Sequence, residues 1–126
     1  MEVLQFINEQ MHDLNIPYEF GEWTDAVSYP YFVGEMTEDE PLAEDGAETS
    51  SFTLTGFHRG EGGYTTLGEI KRRLKRHFDT ITGLTVKRDG YAITCFYSNA
   101  FFIPTNEADL KRIQINLKIK EWKGVR

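Results

Sequence analysis

Residues 2–14 carry Val3, Leu4, Ile7, Met11 and Leu14 at helical spacing, with Gln5, Glu9, Gln10 and Asp13 on the other side. This pattern predicts an amphipathic first helix. Asn15 and Pro17 end it, because a residue ahead of proline is pushed out of the helical region. Tyr18, Phe20 and Trp23 then suggest a short extended segment. A strand starts at Pro30, since proline is tolerated at a strand's first residue. Tyr31, Phe32 and Val33 favour a sheet, and Gly34 allows a bend or bulge. Residues 35–50 hold seven acids, no base and Pro41, and read as a long solvated loop. Alternation resumes over 51–58, with Phe52 and Leu54 on one face and Thr53 and Thr55 on the other. Strands on both sides of the acidic stretch make a hairpin with an extended tip.

Gly60, Gly62 and Gly63 mark a turn. Thr66-Leu67-Gly68-Glu69 matches a capping box, in which the Thr and Glu side chains satisfy free amides at a helix start. A second helix is therefore expected from Thr66. Its stripe is Leu67, Ile70, Leu74, Phe78 and Ile81, and Lys71, Arg72, Arg73, Lys75 and Arg76 occupy the rest of its surface. Leu84 and Val86 lead to Asp89-Gly90, a hairpin signal because both residues tolerate positive φ. Tyr91, Ile93, Cys95 and Tyr97 alternate with Ala92, Thr94, Phe96 and Ser98, so this strand has apolar groups on both faces and reads as central. Phe101 to Ile103 extends it or follows a bulge, and 105–109 is a turn or one helical turn. Over 110–122, Ile113, Ile115, Leu117 and Ile119 face inward while Arg112, Gln114, Asn116, Lys118 and Lys120 face outward. The expected fold is α+β. Two helices pack on one face of a mostly antiparallel sheet, in the order α-β-β-β-α-β-β-β.

The 126 residues suit one domain with one core, spanning 1–126 and carrying the acidic loop at 35–50. Hydrophobic residues at 40% and aromatics at 13% are enough to fill that core. No apolar run reaches the roughly 20 residues that cross a bilayer. The first eight residues lack the basic cluster of a secretory leader. Cys95 is the only cysteine. It lies in an alternating apolar stretch and reads as a buried small side chain in a reducing compartment.

Catalytic signatures are missing. His12, His58 and His77 have no ligand spacing, so no metal is expected. The glycine-rich turn lacks both phosphate-loop spacings, so no cofactor is expected. No serine sits in a G-x-S-x-G elbow. The acids cluster in a solvated stretch, whereas catalytic carboxylates need a desolvated cleft that separates their pKa values. The chain does not read as an enzyme. The run Lys71-Arg72-Arg73-Leu74-Lys75-Arg76 could hold phosphates. Against a nucleic-acid-binding module stands the acidity of the chain as a whole, with a sequence pI near 5.0.

The net charge of −6 hides a split. Residues 1–63 hold 14 acids against one base, a net of −13, and residues 64–126 hold 13 bases against six acids, a net of +7. If the two poles lie on different sides of the fold, one copy's acids can meet the next copy's basic helix. Such head-to-tail contacts are heterologous and close into rings when the rotation closes.

The chain also resembles the tail terminator proteins of long-tailed bacteriophages, also called tail completion or tail-to-head joining proteins. The resemblance covers nearly the whole chain. It rests on the N-terminal helix followed by Tyr29-Pro30-Tyr31-Phe32-Val33-Gly34-Glu35. It continues through the polar loop to the strand Ser51-Phe52-Thr53-Leu54-Thr55-Gly56-Phe57-His58-Arg59. A glycine-containing turn, the helix from Leu67 to Phe78 and the final β segments complete it. The resemblance implies a non-enzymatic, cofactor-free subunit of a hexameric ring at the virion neck, assembled in the host cytoplasm. Such a ring ends tube polymerisation and joins the tail to the head. Its partners would be other copies of the chain, the tail tube protein and a head-completion or neck protein, with DNA only as passing cargo and no membrane. On this reading Arg72, Arg73, Lys75 and Arg76 contact a neighbouring subunit or the tube. Glu38, Asp39, Glu40, Glu44, Asp45 and Glu48 form the complementary or lumen-facing surface. The alternatives are another neck or connector component, and a nucleic-acid-binding module using 71–76.

Overall fold

The computed structural model describes residues 2–24, 26–40 and 46–125. Its elements in chain order are α1 (Glu2–Asp13), β1 (Tyr18–Phe20), β2 (Tyr31–Glu40), β3 (Ala47–Arg59), α2 (Gly63–His77), β4 (Leu84–Arg88), β5 (Gly90–Ile103) and β6 (Leu110–Val125). The protein is α+β, with two helices and one mixed six-stranded sheet ordered β1-β2-β3-β6-β5-β4. All neighbouring strands run antiparallel except β1 and β2, which are parallel. That parallel pair was not legible in the sequence. The chain leaves the sheet at Phe20, the end of β1, and re-enters it beside β1 at Tyr31.

One face of the sheet supplies Phe32, Phe52, Leu54, Ile93, Cys95, Ile113, Ile115, Leu117 and Ile119 to the core. The helices add Val3, Phe6, Ile7, Met11, Leu67, Ile70 and Leu74, followed by Phe78 just past α2. Their burial is the main driving force for the fold. Phe6, absent from the predicted stripe, is buried and lies 6.4 Å from the Phe78 ring. Gln10, expected on the polar side, is also buried. Its Oε1 accepts from Nε2 of His77 at 2.7 Å, so the polar group has the partner that burial demands.

Three expectations need correcting. The acidic segment 35–50 is not one loop, because β2 runs to Glu40 and β3 begins at Ala47. Strand pairing continues through the acids, with Glu35 opposite Thr53 and Glu38 opposite Ser50. Exposed edge-strand positions tolerate such charges, which also discourage unwanted pairing. Residues 41–45, including Glu44 and Asp45, lie outside the described residues. The predicted capping box at Thr66 does not form. Instead α2 starts at Gly63, with Gly62 in the left-handed region at φ 72° and no side-chain cap. Glu69 instead pairs with Arg72. Finally, Ile81 is not part of the helical stripe. The helix ends at His77, Ile81 is 87% exposed, and the Asp79 carboxylate accepts from the Ile81 and Thr82 amides. Those amides hold the Asp79 carboxyl below its ordinary value.

Candidate assembly surfaces

The basic residues of α2 divide into two groups. Arg73 is half-buried and donates to the main-chain carbonyl of Leu14, satisfying an acceptor left open at the end of α1. With the His77–Gln10 bond it ties the two helices together. Burial lowers the His77 pKa, opposed in part by the Asp13 charge. Arg72, Lys75 and Arg76 are exposed. Arg72 contacts Glu69 at 2.5 Å, an exposed i,i+3 pair of small energetic value. The Lys75 ammonium lies 5.8 Å from the centroid of the Tyr97 ring.

Glu38 is exposed on β2 and Glu48 half-buried on β3, opposite Glu121 of β6. The backbone of Asp39 and Glu40 continues β2. These positions lie at the hairpin end of the sheet. The N-terminus of α2 lies at the other end, where Gly63 packs against Lys111 and His58. Among the described residues, no ion pair joins Glu38 or Glu48 to residues 71–76.

Two features were not legible in the sequence. The first is the sheet face turned away from the core. Tyr31 and Phe57 are cross-strand partners there, stacked with ring centroids 5.0 Å apart, and Trp23 lies 5.0 Å from Tyr31. They wall a cleft of about 490 Å³ floored by Thr55, Arg112 and Gln114, with Glu22 and Glu35 also lining it. The signal was the out-of-face row Tyr31, Val33, Thr55 and Phe57, but polar partners on β6 concealed its aromatic character. The second is Arg59, whose guanidinium meets Glu107 and Asp109, each at 3.0 Å, and faces the Tyr29 ring at 5.8 Å. The hydrogen bonds it donates to Glu107, Tyr29 and Asp109 hold it firmly in the charged form. This clamp ties the end of β3 to the turn between β5 and β6. No spacing rule joins Arg59 to residues about fifty positions later.

Cys95 is fully buried in the core, and desolvation pushes its thiol well above the ordinary range. His12 is exposed and His58 half-buried. Among the described residues, no group of three His, Cys, Asp or Glu side chains could hold a metal ion, and no helix is long and apolar enough to cross a membrane. No family model matches the chain, and no curated protein matches it.

Proposed function

We propose that the chain is a non-enzymatic subunit of a phage tail terminator ring, which caps the tail tube, stops its polymerisation and joins tail to head. The resemblance described above motivates the reading. The observation that carries it is that, among the described residues, no ion pair joins Glu38 or Glu48 of the acidic hairpin to the exposed cations Arg72, Lys75 and Arg76 on α2. Acids and cations not paired with each other among the described residues are available to a neighbour, and complementary patches steer association and fix its register. The reading takes both helices as one layer on a mostly antiparallel sheet, so the second face and the sheet edges serve contacts. Arg73 is already bonded to Leu14, so its part in the interface is the weakest of the four. Other neck or connector components would share this chemistry. For the competing module that binds nucleic acid through 71–76, Glu69 beside Arg72 and the acids of the first half are unfavourable.

Light scattering tests the proposal. The chain at high concentration in low salt should show a mass several times its 14.6 kDa, and Arg72→Glu with Arg76→Glu should shift it toward the monomer. Both residues are exposed, so the doubly substituted chain should keep its far-ultraviolet dichroism. An unchanged oligomer would remove these residues from the interface. Tight, steeply salt-dependent DNA retention on a filter would favour the nucleic-acid reading instead.

A further inference from the structure

Each outermost strand covers only part of its neighbour. β1 pairs with β2 at Phe32, Val33 and Gly34 alone, so among the described residues β2 is an open edge over 35–40. At the far side of the sheet, β4 pairs with β5 only as far as Cys95. The next outward amide, that of Tyr97, is taken by the Phe78 carbonyl, and among the described residues β5 is then open over 98–103. Both open edges are six residues long, and an edge strand presents unpaired N–H and C=O groups along its outer side. They sit at diagonal corners, one at the hairpin end and one at the end where α2 begins. Strand directions alternate from β2 to β5, so a second copy in the same orientation brings its β2 antiparallel to β5.

We propose, building on the assembly reading above, that copies of the chain join head to tail by pairing the open edge of β5 with the open edge of the next copy's β2. Full antiparallel overlap of 98–103 with 35–40 sets Phe101 beside Thr37, Phe102 beside Met36 and Ile103 beside Glu35. The four pairs from Ala100–Glu38 to Ile103–Glu35, which lie clear of the irregularities at Asp39 and Ser98, then match in face. Phe101, Ile103, Thr37 and Glu35 belong to the face away from the helices, whereas Phe102 and Met36 belong to the core face. A one-residue slip would break that match. The exposed aromatics gain cover, since Phe101 is 47% and Phe102 38% exposed, and Phe102 already packs edge-to-face on Tyr64. Charge agrees as well. Ile103 lies directly opposite Arg112 on β6, so the neighbour's Glu35 falls in the same row and on the same face as Arg112. Two strand spacings separate them, about 9–10 Å between backbones, which an extended Arg and Glu together can span. Arg112 has no acid partner among the described residues, its Nε is buried without an acceptor, and its terminal nitrogen reaches the Pro104 carbonyl only at 3.4 Å. The contact is heterologous, so it repeats and needs no twofold axis.

Site-directed crosslinking tests this. Cys95 is buried, so introduced thiols report alone. With a short bis-maleimide, the chain carrying both Thr37→Cys and Phe101→Cys should give a ladder of covalent oligomers. A mixture of the two single variants should stop at a dimer, and each single variant should stay monomeric. Glu35→Arg, a change at an exposed position, should weaken the ladder several-fold. Oligomers that form by light scattering while the double variant gives no ladder would overturn the edge pairing and leave the assembly reading standing. Crosslinking of the Phe101→Cys variant to itself would replace it with a symmetric contact. A chain that stays monomeric at high concentration in low salt would remove both.

Discussion

Gly56 shows how little room the core leaves at a single residue. A Cβ built there would lie 2.2 Å from the Phe32 ring, which fills the space between β2 and the helices. Phe32 is fully buried and cannot retreat without moving its neighbours. Gly56→Ala should therefore cost about 1–3 kcal/mol of stability, read as a lower denaturant midpoint at unchanged slope. A midpoint equal to the parent's would mean that Phe32 relaxes freely. His77 gives a pH signature. Burial lowers its folded pKa below the ordinary 6.5, so the unfolded chain binds the proton more readily. Its contribution to stability is therefore fully present above about pH 6.5 and declines as pH falls through that value toward the folded pKa. His77→Gln should flatten the stability curve over this range, and an unaltered slope would place the titration elsewhere.

At the scale of elements, the Arg59 clamp holds the β5–β6 turn to the end of β3 through Glu107 and Asp109. Arg59→Gln should speed amide hydrogen exchange over 104–110 while leaving β3 and β6 protected. Equal exchange in both proteins would show that Thr105, which donates to the Leu110 carbonyl at 2.7 Å, holds the turn by itself. Elements with a strong period were legible from the sequence. The stripe of α1, the alternation of β6 and the Asp89-Gly90 hairpin all reflect local patterning, and each appears in the structure. The acidic strand ends were not legible. Charge and Pro41 argued for a loop, but pairing of Glu35 and Glu38 with Thr53 and Ser50 leaves solvated side chains on a regular strand. The start of α2 was misread for a related reason. Gly62 reaches the left-handed conformation at no steric cost, so the helix begins a turn before the capping sequence. Among the candidate interface residues, exposure of Arg72, Lys75 and Arg76 followed from the helical period. The inward role of Arg73 did not, because it depends on where α1 ends in space. The aromatic cleft and the open strand edges depend on strand order, which no local pattern encodes.

For the whole molecule, the two halves of the sequence carry opposite charge, yet the fold does not sort them into separate lobes. β3 from the acidic half lies against β6 from the basic half along thirteen paired positions, so the sheet is built across the divide. Among the described residues, no ion pair joins Glu38 or Glu48 at the hairpin end to the exposed cations of α2. The two partly uncovered strands, β2 and β5, are unlike, and unlike surfaces favour repeating contacts over twofold ones. Electron microscopy of the isolated chain at high concentration in low salt tests this most directly. Closed rings with a central opening, about six copies around, are the result that the assembly reading predicts. A field of monomer-sized particles, or of twofold dimers alone, would contradict it.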